Sequence, residues 1–287
     1  MFSLILAILC SAGVSVFMRA SKDHCKSRYG ILLINYTVCI LSGLVTSPDI
    51  AGHTGKAGMK YVVGFGILTG ILYVAAFLLL QWNIEKNGVI LSSTFMKLGV
   101  IVPTAIGVLW FGEQPGVTQY IGIFLSVAVI LFLNLEKIPQ TKEKRRRRVG
   151  GESVGGLLLL LLGGGVGDSM AKFYDTYGKA ELSDLYLVLS FLISGLVCGV
   201  LVIQKKEKIG KSDVIYGCLI GIPNYFSARF LLDALADIPA FIAYPMYSIA
   251  AMVIIGVVGV FVFDERLTKR QWAVYAVVLV SVGLLNI

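Results

Sequence analysis

Ten long apolar segments, separated by short polar stretches, follow one another along this chain. Each is close to the roughly 20 residues that a helix needs to cross about 30 Å of hydrocarbon. We therefore predict an all-α membrane protein with ten transmembrane helices. The predicted spans are 2–19, 30–46, 61–82, 88–111, 117–134, 154–173, 185–203, 213–234, 239–262 and 270–286.

This pattern repeats at an offset of 152 residues. Matched pairs include Ser42 and Ser194, Gly43 and Gly195, Phe111 and Phe263, Glu113 and Glu265, and Gln119 and Gln271. A repeat of this length in a membrane protein is typical of transporters built from two related halves, which bind substrate near the bilayer midplane. Because each half has an odd number of spans, the second half enters the membrane from the opposite side. We predict two inverted five-helix repeats, 1–135 and 153–287, joined by a basic linker at 136–152.

The distribution of charge supports membrane insertion and predicts its orientation. Only 15% of the residues are charged, against about 25% in soluble proteins. Of the 25 Lys and Arg residues, 19 lie in the loops after spans 1, 3, 5, 7 and 9 or at the span ends that border them. The positive-inside rule then places both termini outside and the 136–152 linker in the cytoplasm of a multi-pass cell-membrane protein. We interpret the run Lys144–Arg148 as a topology anchor rather than an RNA-binding motif, so no nucleic-acid partner is expected.

The sequence carries no recognisable catalytic or metal-binding motif. Its five cysteines form no CxxC pair, and it has only two histidines. A disulfide framework, a metal site and a cofactor are therefore not expected. No P-loop or nucleophile motif is present, which argues against an enzyme and against direct ATP hydrolysis.

In both halves an apolar helix is followed by an F-x-E turn, then by Gln with an aromatic residue and a last span. The chain thereby resembles the EamA-type drug/metabolite transporter superfamily over nearly its full length. The residues that carry the resemblance are Pro103, Phe111, Gly112, Glu113, Gln119, Gly122, Phe263, Glu265 and Gln271. No proline matches Pro103 in the second half, and many relatives place both termini in the cytoplasm, unlike the orientation predicted here. The resemblance implies a small-molecule carrier, commonly a proton-coupled one or an exchanger, for solutes such as amino acids, nucleotide sugars, phosphorylated sugars, quaternary amines or drugs.

Comparison of the two halves identifies three ionisable residues that lie inside predicted spans and have no ionisable counterpart in the other half. They are Lys97, Arg229 and Asp168, which align with Ile249, Phe77 and Val16. An ionisable side chain at mid-membrane costs roughly 2.5–3.5 kcal/mol on insertion scales, so each needs a partner, a water-filled cavity or a function. These residues are the main candidates for the transport site.

Lys97 is the strongest of the three candidates. It lies roughly 13 Å along predicted span 4, close to the midplane. With Ser93 one turn earlier, its ammonium is expected to bind a carboxylate, a phosphate or another anion. The alternative is a structural ion pair with a distant acid such as Asp168.

Arg229 and Asp168 each allow a functional and a structural interpretation. Arg229, with Asn224 and Tyr225 one turn earlier, would recognise a carboxylate or phosphate, or it pairs with Asp233 at i+4. Pro223 is expected to open the helical hydrogen-bond ladder beside them. Asp168 would bind a proton or a substrate amine, or it pairs with Lys172 at i+4.

In span 9, Tyr244 and Tyr247 share a helix face and could flank a substrate or pack in the core. Pro245 between them is expected to kink the span. Glu113 and Glu265 follow apolar helices, and we interpret them as structural turn residues.

These features predict a secondary active transporter that works by alternating access and favours an anionic or amino-acid-like zwitterionic solute. Protons are the expected coupling ion, and the lipid bilayer is the other expected partner. The alternatives are a lipid or lipid-phosphate flippase and, with less support, a receptor.

Overall fold

A computed structural model describes residues 1–22, 24–47, 58–87, 89–135, 153–263 and 269–286. These residues are almost entirely helical, and no strand occurs among them. In chain order the helices are α1 (Phe2–Ser21), α2 (Arg28–Thr46), α3 (Met59–Asn87), α4 (Val89–Leu98), α5 (Ile101–Leu109), α6 (Val117–Leu135), α7 (Val154–Tyr177), α8 (Ser183–Lys205), α9 (Lys211–Asp237), α10 (Ala240–Phe263) and α11 (Lys269–Leu285). A short 3-10 helix at Ala180–Leu182 precedes α8. The predicted linker 136–152 and Glu265 lie outside the described residues.

Within the described ranges, six helical stretches are long and apolar enough to cross a membrane. They are Phe2–Ser21, Arg28–Thr46, Met59–Ile84, Val154–Tyr177, Ala180–Lys205 and Ala240–Val258. Shorter apolar helices occur at Phe95–Leu109, Val117–Phe132 and Ala276–Leu285. The prediction of an all-helical membrane protein is confirmed at this level.

The prediction of one continuous helix for span 4 is wrong. Instead α4 ends at Leu98 and α5 begins at Ile101. Pro103 has no backbone N–H, so it cannot donate to the Gly99 carbonyl four residues earlier. That carbonyl accepts from the Val102 N–H at 2.9 Å instead, which tightens the chain between the two helices.

The helices form two compact units, and neither unit follows the predicted repeat halves. Unit 1 consists of 1–74, 170–238 and 254–258, and unit 2 of 75–169, 239–253 and 259–287. Each unit therefore takes helices from both halves of the sequence. The repeat boundaries themselves remain a prediction.

In unit 1, α1 packs against α9, and α2 packs against both α8 and α9. Glycines allow these helices to approach closely, as is common in membrane bundles. A Cβ added to Gly43 of α2 would meet Val188 of α8, and a Cβ added to Gly195 of α8 would meet Tyr36 of α2. The offset of 152 residues converts one of these contacts into the other, so the α2–α8 interface is symmetric at this point.

In unit 2, α6 packs against α4 and α11. The hydroxyls of Ser126 and Ser281 lie 2.8 Å apart between α6 and α11. The Glu113 carboxylate accepts hydrogen bonds from the N–H groups of Ala240 at 2.8 Å and Phe241 at 3.1 Å. These donors belong to the first turn of α10, so Glu113 caps that helix. This contact agrees with the structural role expected for the F-x-E motif.

Candidate functional site

In unit 2, Lys97 and Asp168 are carried by two helices that meet through their backbones. Lys97 is in the last turn of α4, two residues before Gly99, and Asp168 is one turn after Gly165 of α7. A Cβ on Gly165 would come closer than 3.0 Å to the Gly99 carbonyl oxygen. The absence of side chains at this crossing lets α4 and α7 approach, and it brings the two charged residues into electrostatic interaction.

The side chains of Lys97 and Asp168 are exposed and interact with each other electrostatically. In the described part of the chain, neither side chain forms a hydrogen bond or a direct ion pair. The alternative pair of Asp168 with Lys172 is not formed, because Lys172 pairs with Asp175 at 3.3 Å.

Tyr244 of α10 fixes the backbone beside Asp168. Its hydroxyl donates to the Asp168 carbonyl oxygen at 2.8 Å, and the side chain is only 2% exposed. Tyr247 lies one turn further along α10 and is half-buried. The side chain of Ser93 is outside the described residues, so its predicted role stays a prediction. Tyr244 therefore holds the Asp168 backbone in place, and its predicted contact with a substrate stays a prediction.

In unit 1, Arg229 is held by two carboxylates. Its Nε lies 2.6 Å from Asp184 Oδ1, and its guanidinium also pairs with Asp233. Asp184 in addition accepts hydrogen bonds from the Ser47 and Tyr225 hydroxyls. One cation thus faces two carboxylates, and the group as a whole is acidic. The expected pair with Asp233 is present, whereas sequence reasoning missed Asp184.

Asn224 and Tyr225 hold α9 to α2. The Asn224 amide donates to Asn35 Oδ1 at 3.2 Å, and the buried Tyr225 hydroxyl lies 2.8 Å from that of Thr46. The helix α9 continues through Pro223. Near this proline, the Cys39 thiol donates to the Gly221 carbonyl at 3.3 Å.

The predicted site residues are divided between the two units. Lys97, Asp168, Tyr244 and Tyr247 belong to unit 2, and Asn224, Tyr225 and Arg229 belong to unit 1. Among the described residues, no three His, Cys, Asp or Glu side chains lie together in a way that could hold a metal ion. The chemistry within reach of the unit 2 group is the binding of an anion or of a proton.

Comparison with known proteins finds a family match for the first part of the chain. Residues 1–135 match the EamA-like transporter family. An uncharacterized protein of Haemophilus influenzae is 26% identical over 278 residues, which cover 95% of this chain and 93% of that protein. A crystal structure of another protein shares the fold, with a TM-score of 0.77 at 10% identity over 99% of this chain and 94% of that one. Residues 1–135 thus resemble the EamA-like transporter family, and the six long apolar helices of the described residues are those of a multi-pass membrane protein.

Proposed function

We propose that this protein is a secondary active transporter of small metabolites, with ten spans arranged as two inverted repeats that give alternating access. The family match supports a carrier, and the symmetric contacts of Gly43 and Gly195 support a two-fold relation between the halves. The favoured substrate is an anion or an amino-acid-like zwitterion. Both termini lie outside in this proposal, and the 136–152 linker lies in the cytoplasm.

The observation that carries the proposal concerns the contacts of the Lys97 ammonium. Its ammonium opposes Asp168 without a direct ion pair or hydrogen bond among the described residues. Arg229, by contrast, already pairs with Asp184 and Asp233. Lys97 is therefore the cation that can bind a carboxylate or phosphate of a solute.

Asp168 is the coupling residue in this proposal, for reasons of charge balance. Lys97 and Asp168 together are neutral, so a bound anion would leave one uncompensated negative charge in a low-dielectric site, which is costly. A proton on Asp168 removes that charge, and a substrate ammonium beside Asp168 balances it. An anion would thus be carried with a proton, whereas a zwitterion would need none.

The first test is a thermal-shift screen of the purified protein against anions, zwitterions and cations. A ligand at a hundred times its dissociation constant stabilises the folded protein by about 2.7 kcal/mol. An anion or zwitterion is expected to stabilise the wild type but not Lys97→Met. Uptake of that solute into proteoliposomes should then fall roughly tenfold or more in Lys97→Met, because a hydrogen bond to a charged group contributes about 1.5–3 kcal/mol.

The matched control is Lys179→Met, which removes an exposed lysine outside the predicted spans. It should bind and transport as the wild type does. The proposal fails if Lys97→Met retains full binding and uptake of every stabilising anion and zwitterion. The family match does not favour the flippase alternative, and stabilisation by lipids alone would revive it.

A further inference from the structure

Two polar segments of unit 1 are joined by hydrogen bonds where four helices end. The Asp213 carboxylate accepts from the N–H groups of Lys26 at 3.1 Å and Ser27 at 3.4 Å. The Glu207 carboxylate accepts from the Ser27 hydroxyl at 2.5 Å and from the Tyr29 N–H at 3.0 Å. The turn before α2 and the turn before α9 therefore form one fixed surface.

The carboxylates on this surface point inward, and the cations point outward. Asp213 is 2% exposed and also accepts from the Gly210 N–H at 2.8 Å, and Glu207 is half-buried. Six exposed cations lie within two residues of these hydrogen-bonded groups, and one of them, Lys205, is the last residue of α8. We call the other five the basic face: Lys26, Arg28, Lys206, Lys208 and Lys211. These five cations and the two carboxylates carry a net charge of +3, and the cations are the more exposed groups.

One residue of the basic face has an unfavourable backbone conformation. Lys206 follows α8 with φ 52° and ψ 37°, and it alone among the described non-glycine residues has a positive φ. Glycine adopts this left-handed conformation freely, whereas a side chain disfavours it. A lysine at the end of a helix also complements the helix dipole. The preceding residue, Lys205, already supplies a positive charge in the last turn of this helix.

Exposed apolar side chains lie directly beside the basic face. Ile203 near the end of α8 is 77% exposed, and Ile215 in the first turns of α9 is 59% exposed. Ile203 lies near the end of α8 and Ile215 near the start of α9, next in sequence to the basic face. The cations would suit the charged headgroup of a phospholipid, and the exposed apolar side chains would suit its acyl chains.

We propose that the basic face binds the headgroup of an anionic phospholipid, whose acyl chains lie along Ile203 and Ile215. Basic residues near a membrane surface each strengthen the binding of anionic lipid by about fivefold in affinity. Membrane orientation depends only on the number of positive charges in a loop. It does not require that these charges be held in a fixed arrangement, as Glu207 and Asp213 hold the basic face here. This inference is independent of the proposed transport activity.

The test is native mass spectrometry of the full-length protein in detergent, with equal amounts of phosphatidylglycerol and phosphatidylcholine of the same chain length. The wild type is expected to retain phosphatidylglycerol preferentially. The double variant Lys206→Gln, Lys208→Gln should lose that preference by at least about tenfold. The control variant Lys60→Gln, Lys179→Gln removes two exposed lysines elsewhere and should keep it.

Lys206→Gly separates binding from folding. It relieves the backbone of Lys206, so it should raise or keep the unfolding temperature while it weakens retention of phosphatidylglycerol. The proposal is overturned if the wild type retains both lipids equally, or if the control variant loses as much preference as the double variant. Displacement of the lipid by soluble glycerol phosphate at similar concentration would also overturn it, because the ligand would then be a free phosphate.

Discussion

At the scale of single residues, Glu113 shows how one carboxylate determines where a distant helix begins. It accepts from two N–H groups in the first turn of α10, 127 and 128 residues further along the chain. These N–H groups have no partner inside their own helix, and a negative charge there also complements the helix dipole. Gly107 leaves room for the carboxylate, since a Cβ at this position would meet Glu113 Oε2.

Glu113→Ala is expected to lower the stability of the protein by about 1 kcal/mol, the usual effect of losing a helix cap. The measurement is the unfolding transition of the purified protein in detergent. Glu113→Gln keeps one side-chain oxygen as an acceptor and should lose less. Equal stability of wild type and Glu113→Ala would show that the carboxylate does not cap α10.

The sequence was sufficient to select the charged residues but not their partners. Lys97 and Asp168 stand out because ionisable side chains are rare inside apolar spans. The pair of Arg229 with Asp233 follows from i,i+4 spacing. Asp184 is 45 residues from Arg229 on another helix, and no local spacing rule predicts a contact across helices. For the same reason the bonds of Asn224 and Tyr225 to α2 were not predictable.

At the scale of helices, the interruption between α4 and α5 positions Lys97. The interruption lies against Gly165 of α7, where the backbones are in contact. Interrupted helices occur in many transporters because they expose backbone groups to a solute or ion. Hydropathy alone joined α4 and α5 into one span, since both helices are mainly apolar. Pro103 was the local signal for the interruption, and Gly99 is the residue whose carbonyl it leaves without its usual donor.

Gly165→Ala is expected to destabilise the protein by about 1–3 kcal/mol, the usual effect of inserting a group into a close-packed contact. The new Cβ would approach both the Gly99 carbonyl and the Val102 side chain closer than 3.0 Å. The helices α4 and α7 must then separate, and Lys97 moves relative to Asp168. The unfolding temperature in detergent and solute uptake into proteoliposomes should both decrease.

The neighbouring glycine supplies the control for this experiment. A Cβ on Gly164 would meet nothing within 4 Å, so Gly164→Ala should be neutral or stabilising by up to about 1 kcal/mol. If both variants behave alike, the contact between Gly99 and Gly165 does not hold α4 against α7.

At the scale of the whole molecule, the repeat reappears in the positions of the helices. The offset of 152 residues relates the start of α1 at Phe2 to that of α7 at Val154, and the start of α3 at Met59 to that of α9 at Lys211. Sequence periodicity could therefore predict the order of the elements. It could not predict the two compact units, because each of them depends on contacts between helices far apart in the sequence.

Inversion of the two repeats makes a prediction that labelling can test. His24 and Thr176 are equivalent under the offset of 152 residues, and both are exposed. If the repeats are inverted, cysteines at these two positions face opposite sides of the membrane. A membrane-impermeant maleimide should label Thr176→Cys in intact cells, and His24→Cys only after permeabilisation.

The native Cys25 beside His24 will interfere little with this measurement. Burial, together with the hydrogen bond and charge of Asp213, raises the pKa of its thiol to about 11. A thiol reacts through its thiolate, and two pH units above an ordinary value leave roughly a hundredfold less thiolate at neutral pH. The parent chain, labelled in parallel, corrects for the five native cysteines. If the two variants exchange sides, the orientation is opposite to the one predicted from charge, but the repeats are still inverted. If both are labelled from the same side, the repeats are not inverted, and a transport mechanism based on that symmetry loses its support.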